Sequence, residues 1–468
     1  MMRQIKTAFL FLFLLCIFET SNGQVQTGNA NISRKENLQS DFTCLRDALQ
    51  AEYPSLYRFT PKEKMDQLLD SCYNSLRNST TDLEFYRLTK FVLSAARDGH
   101  LGCTPPDSLL KHIREDVKFF PVRLHFVRDK AYVIGTADSS LPAGAEIISI
   151  NNQPVSRIQN ELFRFIVSDG FSNTKKLHVL DNYFYFYYFL VKGSSPSFDI
   201  KYSTEAGSTA SIKLSAVAER DIPPAIDILN REKLLDLKIT EDKIAILTIR
   251  TFDEDEMAQA GLVFSTFLYG AFNRIKEEKI HKLIIDLRGN GGGKDQYGSM
   301  LYGFLTKKTF NYYRSLTGSN PEKYRKTGNG YYEFDKDWHS NLKLQKPASV
   351  NYNDALWILI DGESFSATAE FCTIARSLNR GVFVGEETGG AYIGNTSGEQ
   401  RELTLPTTGM KVQFGLWQYH MSVTSNHIFS RGIMPHQEVL LSANDLLQKH
   451  ESQMEHAIRL AQKLKYKP

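Results

Sequence analysis

Between Ile244 and Val384 the chain alternates short apolar runs with longer amphipathic ones, and this alternation limits the possible fold more than any other feature of its 468 residues. Ile244–Ile249, Leu283–Leu287, Ala355–Ile360 and Val382–Val384 read as strands, while Ala258–Lys276, Tyr297–Leu305 and Thr368–Leu378 read as helices. Repeated β–α order implies an open α/β sheet with helices packed on its faces. Ligands of such sheets gather outside the carboxyl ends of the strands, and two polar turns, Gly289–Gly293 and Gly362–Ser366, fall there.

The first turn, inside Asp286-Leu-Arg-Gly-Asn-Gly-Gly-Gly293, is rich in glycine, so successive amides can converge on one point and present an anion or oxyanion site. The second carries a strand into a helix that begins near Ser366. The helix dipole there favours negative charge, and the N–H of Ala367 can pair with one from the glycine turn as an oxyanion hole. Read alone, Ser366 is also an ordinary N-cap with Glu370 on the first turn. A Gly-x-Ser-x-Gly elbow is missed because Ser366 stands where the second glycine is required.

Upstream, Asp41–Asp98 reads as helical, with Phe42, Leu45 and Leu49 on one face, Pro61 opening a second helix and Asp82 capping a third. It stops at Asp98-Gly-His-Leu-Gly102, which leaves a histidine in a turn. Phe119–Val127, Ala131–Gly135 and Pro142–Val155 then read as strands, the last with an Asn151-Asn152 turn. The wording Pro-Ala-Gly-Ala-Glu-Ile-Ile-Ser-Ile-Asn-Asn152 resembles the core of a PDZ domain, a module that binds peptide ends by strand addition. The aromatic run Tyr183–Leu190 reads as a buried or cleft-lining strand, and Phe198–Leu214 as a further strand pair. Arg220–Ala225 is linker-like.

Arg3 and Lys6, the apolar stretch Ala8–Phe18 and the small-residue exit to Gln24 read as an export signal cleaved before Gln24. Leu15 precedes Cys16 where a lipoprotein site carries a small residue, so a lipid anchor is the lesser reading. That apolar stretch is shorter than a membrane-spanning helix, and none later matches it. The formal net charge of +3 includes Arg3 and Lys6, so the remaining chain is near neutral and lacks the basic stripe that nucleic acid requires. Cys44, Cys72, Cys103 and Cys372 remain, of which Cys44 and Cys72 lie on neighbouring expected helices and can pair, while Cys372 reads as a buried apolar side chain. Neither His-Glu-x-x-His nor Cys-x-x-Cys occurs, so no metal centre is expected.

Taken in order, Asp98-Gly-His100, the PDZ-like stretch, Asp286–Gly293, Phe365-Ser-Ala-Thr-Ala-Glu370, Val384-Gly-Glu-Glu-Thr-Gly-Gly390 and Gly432-Ile-Met-Pro435 resemble the C-terminal processing peptidase family, which includes tail-specific and tricorn-core serine peptidases. The resemblance spans nearly the whole mature chain. It implies a signal peptide (1–23), an N-terminal helical domain (24–115), a PDZ-like β domain (116–218) and an α/β catalytic domain of ClpP/crotonase-like type (219–468). It also implies an exported endopeptidase, periplasmic or extracellular, that acts on polypeptide without a cofactor and can hold a substrate's C-terminus in the PDZ-like domain.

By the same resemblance Ser366 is the nucleophile, with Ala367 N–H and an amide from Gly291 or Gly292 forming the oxyanion hole. Tail-specific members place a lysine base shortly after Gly-Glu-x-Thr, where this chain has Ala391. Lys294 follows the glycines and reads as a solvated helix-start lysine. His100 matches the tricorn-like base, and histidine suits proton transfer at neutral pH. The orienting carboxylate is expected from the C-terminal third, where Glu386, Glu399, Glu402 and Glu438 are candidates and Glu399 is preferred. Asp286 and Arg288 read as structural. Because the dyad lysine is missing, a non-peptidolytic protein of the same fold, binding a hydrophobic, peptide or carbohydrate ligand, stands as the alternative.

Overall fold

A computed structural model describes residues 33–136, 138–204, 207–229, 231–319, 325–326, 332–423 and 429–464. The export-signal reading lies outside the described residues.

The α/β alternation forms a six-stranded sheet in which Gln437–Glu438, Val382–Gly385, Ala355–Ile360, Lys282–Asp286 and Ile244–Ile249 run parallel and Leu235–Ile239 joins the last antiparallel. Alternate side chains leave each strand on opposite faces. Ala245, Leu247, Leu283, Ile285, Ile358 and Ile360 pack against the helices Phe264–Glu277 and Ala367–Ser377. Ile244, Ile246, Ile284, Trp357 and Leu359 are covered by Ala457 and Ala461 of the helix Ser452–Lys463. With both faces covered, the strands need continuous apolar runs, as the sequence has. The single helix expected over Ala258–Lys276 is instead two, Glu254–Gln259 and Phe264–Glu277. Gly261, at φ +70°, breaks it between them.

Three helices, Arg34–Glu52, Lys62–Ser75 and Asp82–Ala95, open the described chain. The third is capped by Thr81 rather than Asp82, through a reciprocal box with Glu84. An antiparallel sheet follows, ordered Val122–Val127, Lys130–Thr136, Glu146–Ile150, Ser197–Ser203, Thr209–Ser215, with Gln153–Pro154 beside the third strand. Asn151 and Asn152, at φ 49° and 61°, make the expected turn.

The aromatic run is not a strand. Tyr183–Leu190 lies inside the helix Thr174–Lys192, which departs from helical backbone angles at Tyr183 (φ −135°, ψ 23°). Its partners repeat four residues apart. Phe184 meets Phe120 edge-on and Tyr188 stacks on it, while Tyr185 and Phe189 both meet Phe119 edge-on. An unbroken aromatic run hides this period, since every position looks apolar.

A third sheet carries the long hairpin Thr396–Thr404 and Lys411–Met421, with Gly102–Thr104 and Tyr313–Gly318 paired to successive stretches of the second strand on the edge away from the first. The opening helices, the antiparallel sheet and this hairpin share one apolar core, running from Leu38 and Phe42 to Val412 and Phe414. Cys44 and Cys72 do not pair: both are free thiols, and burial pushes Cys72 up to about 11. Cys372 is fully buried, as expected.

Candidate active site

Two neighbouring parallel strands, Lys282–Asp286 and Ala355–Ile360, end side by side, so their following turns meet. Asp361 ties them together. Its Oδ2 accepts from Gly289 N–H at 2.9 Å, and its Oδ1 from the amides of Glu363 and Ser364 at 3.0 and 2.9 Å. Phe365 N–H adds a bond to Asn290 O at 3.1 Å, and Ser364 Oγ one to Leu287 O at 3.0 Å. Beneath them, Asp286 is gripped by Arg288 (2.8 Å) and Arg250 (2.7 Å). Burial opposes its charge, but the two guanidiniums outweigh burial and hold Asp286 well below the usual carboxylate range. The structural reading of Asp286 and Arg288 stands on this network, which Glu451 extends at 2.7 Å from Arg288.

Ser366 occupies the N-cap of the helix Ala367–Ser377 at φ 53°, ψ −128°. A non-glycine residue adopts that conformation only where surrounding structure enforces it, and such strain concentrates at functional positions. Its hydroxyl accepts no cap hydrogen bond from the helix amides, so the simple N-cap reading fails. Instead Ser366 Oγ lies 3.1 Å from His100 Nε2.

The glycine turn reaches the same point. A Cβ on Gly292, whose φ is +100°, would stand 2.7 Å from Ser366 Cβ and 3.0 Å from Ala367 N. The Gly292 N–H itself, however, is donated to Asn290 Oδ1 at 2.9 Å and so is not free for an oxyanion. Gly291 N–H and Ala367 N–H have no acceptor among the described residues, and Gly291 is exposed. Of the expected amides, those two are therefore available and that of Gly292 is not.

His100 follows the helix Asp82–Ala95 through a tight turn with Arg97 at φ 59°. Its ring packs on Phe365, centroids 4.5 Å apart. Its backbone N–H donates to Asp98 Oδ1 at 2.8 Å, and the same oxygen is 3.4 Å from His100 Nδ1. Asp98 Oδ2 accepts from Tyr53 Oη at 2.7 Å. Burial works to raise Asp98, but the His100 and Tyr53 interactions prevail and hold it below its ordinary value. A second buried carboxylate, Asp169, accepts from Gly99 N–H at 2.7 Å and from Ala391 N–H at 3.1 Å, binding the base turn to the segment after Gly-Glu-Glu-Thr. Burial and then the charge of Asp98 raise it. Lys175 lies over the Phe365 ring, its Nζ 3.0 Å from the centroid, and burial drops it to about 8 despite the pull of Asp169 and Asp98. Asp98, His100 and Asp169 offer ligand atoms within 4.8 Å of one another. All four of those carboxylate oxygens already accept a protein hydrogen bond, and the Lys175 ammonium adds positive charge beside them.

The carboxylate facing His100 is thus Asp98 and not Glu399. Glu399 is exposed on the hairpin strand Thr396–Thr404, beside a register shift, and no described contact joins it to His100. The other candidates are engaged elsewhere: Glu386 with His178 at 2.9 Å, Glu402 with Lys411 at 3.2 Å and Glu438 with Arg128 at 2.8 Å. Lys294 pairs with Glu254 at 2.6 Å at a partly exposed helix start. Asp98 carried a legible signal, two residues before the histidine; Asp169, Tyr53 and Lys175 had none.

A hydroxyl on a strained turn, an imidazole within hydrogen-bond reach and free amides beside the hydroxyl define a serine-type hydrolase. Residues 243–439 match peptidase family S41, which supports the C-terminal processing peptidase family for this chain and a serine-type peptidase activity. The fold is similar to that of mature CPAF, alone (16% identity, TM-score 0.60, 92% of this chain and 97% of that one) and in complex with lactacystin (16%, 0.61, 92% and 98%). It is also similar to a Parabacteroides merdae protein described as a peptidase (16%, 0.50, 91% and 96%). No curated protein matches the chain by sequence.

Proposed function

We propose that this peptidase cuts polypeptides through an acyl-enzyme on Ser366, with His100 as general base and Asp98 as its orienter. The observation that carries the reading is the 3.1 Å contact between His100 Nε2 and Ser366 Oγ. Nε2 takes the hydroxyl proton as the oxygen attacks the scissile carbonyl, and returns it to the leaving amine. Ala367 N–H and Gly291 N–H receive the oxyanion at the helix N-terminus. Deacylation repeats the sequence with water in place of the serine.

The division into helical (24–115), PDZ-like (116–218) and catalytic (219–468) domains, and export to the periplasm or beyond after removal of residues 1–23, belong to the same proposal. They rest on motif order and on the composition of the first residues. Strand addition to the PDZ-like module meets an obstacle at its first strand. Phe126 N–H there is donated to Asp181 Oδ1 at 2.7 Å, and Arg123 reaches the Asp181 and Asn182 carbonyls, so the helix Thr174–Lys192 occupies that edge. A substrate's C-terminus binds there only if this helix moves.

The test is cleavage of casein together with fluorophosphonate labelling, for the chain from Gln24 and for Ser366→Ala and His100→Ala. Loss of both signals in both variants is expected. Activity that survives His100→Ala would remove histidine from the mechanism.

A further inference from the structure

One turn behind the nucleophile, Glu370 is buried within the helix Ala367–Ser377. Its Oε1 accepts from Asn395 Nδ2 at 2.7 Å, and its Oε2 lies 2.7 Å from Tyr313 Oη. The same phenol oxygen is 2.9 Å from Asp295 Oδ2. A phenol has one proton, and here it stands between two carboxyl groups that are both within hydrogen-bond distance. Were both carboxylates ionised, one of these contacts would set an anionic oxygen against a lone pair in a buried site, so the triad needs a second proton.

The neighbours place that proton on Glu370. His339 Nδ1 accepts from Asn341 N–H at 3.1 Å, which puts the ring proton on Nε2, 3.2 Å from Asp295 Oδ2, and requires the Gln296 amide, 3.0 Å from Nε2, to turn its oxygen toward that proton. Asp295 also opens the helix Asp295–Gly303, where negative charge is favoured. Asp295 is therefore served by two donors and a helix start. Among the described residues, Glu370 Oε2 has the phenol alone to meet it.

We propose that Glu370 is a proton-carrying positioning residue: as a neutral acid it donates to Tyr313, Tyr313 donates to Asp295, and the closed relay holds the helix start, with Ser366 and Ala367 N–H, without a negative charge on its own first turn. This rests on the assignment of Ser366 and Ala367 above. The link to the nucleophile is short, because Glu370 N–H donates to Ser366 O at 3.0 Å. An ionised Glu370 would set a negative charge one turn from the amide that must receive the oxyanion.

The ionisable groups around Glu370 agree. Asp295 faces it from its own helix, Tyr313 and Tyr312 from the strand region beginning at Tyr313, Tyr419 from the strand Lys411–Met421, and Cys372 shares its helix. Among the described residues no cation faces it. Burial, then the charge of Asp295, push Glu370 up to about 8 against the hydrogen bonds of Tyr313 and Asn395.

Glu370→Gln tests this, since a glutamine amide can donate to Tyr313 while its carbonyl accepts from Asn395. The infrared difference between wild type and Glu370→Gln at pH 7 should show the C=O band of one buried carboxylic acid, lost near pH 10. Fluorophosphonate labelling of the wild type should fall roughly tenfold across that range, while Glu370→Gln labels within about threefold of wild type at pH 7 and lacks the step. A pH 7 difference spectrum without that band, or an alkaline step of unchanged midpoint in Glu370→Gln, overturns the proposal. If the wild type is never labelled, the Ser366 assignment has failed instead. The infrared band and the urea midpoint, which should drop with rising pH in the wild type alone, still decide where the proton sits.

Discussion

Replacing Asp98 by asparagine separates the two candidate orienters of His100 with little change in shape. The amide oxygen can still accept from His100 N–H or Tyr53 Oη, so the turn keeps most of its support while the charge is removed. During reaction His100 becomes an imidazolium whose Nδ1 lies 3.4 Å from Asp98 Oδ1. At an effective dielectric of ~20, unit charges at that separation attract by about 5 kcal/mol. Reorganisation and the partial exposure of the histidine reduce this to ~3 kcal/mol, or roughly a hundredfold in rate. The assay is kcat/KM on a quenched fluorescent peptide, with urea denaturation to verify folding. Asp98→Asn should lose about two orders of magnitude, chiefly in kcat, while Glu399→Gln stays within about twofold of wild type. If a folded Asp98→Asn keeps activity within threefold, or if Glu399→Gln shows the large loss, the orienter has been misassigned.

Gly292→Ala should cut kcat by ~10²-fold or more at nearly unchanged KM, since the added methyl stands 2.7 Å from Ser366 Cβ and crowds Ala367 N; a near wild-type kcat would show that this turn does not border the oxyanion. Asp286→Asn leaves Arg250 and Arg288 without their shared charge, and a loss of about 3–5 kcal/mol in urea denaturation at pH 7 is expected. Because the folded state depresses Asp286, its contribution is present above the ordinary aspartate range and is lost as pH falls through the lower folded value. The gap between wild type and variant should therefore close on acidification, and a gap that widens contradicts the sign. Lys175, lowered to about 8, should be half-reactive toward acetic anhydride near that pH in competitive labelling, where ordinary lysines need about pH 10; titration with the ordinary lysines would place it in water.

The catalytic sheet was legible because burial on both faces demands continuous apolar strands, and these stand out between polar turns. Ser366 and the glycine turn were legible for a related reason, since strand ends fix where a turn must be. His100 was found from motif order, not from its surroundings. What the sequence concealed were partnerships across long separations. Asp169 joins Gly99 to Ala391, and Tyr53 reaches Asp98, through contacts that no local pattern announces. Glu399 was preferred over Asp98 because the resemblance pointed to the C-terminal third, whereas the structure supplies the charge from the histidine's own turn. The helix Thr174–Lys192 was misread because its aromatic residues fill every position and erase the period that distinguishes helix from strand.

The core shared between the first helices and the hairpin near the end of the chain gives synthesis an order of events. Asp41, on the opening helix, receives the amides of Thr407 and Thr408 at the hairpin's tip, and Gly102–Thr104, directly after His100, pairs with Lys411–Gln413. His100 therefore has no seat until more than three hundred further residues have been made and docked against it. Until then the chain carries its serine and histidine still apart. The contact between Ser366 and His100 would arise as a last act of folding.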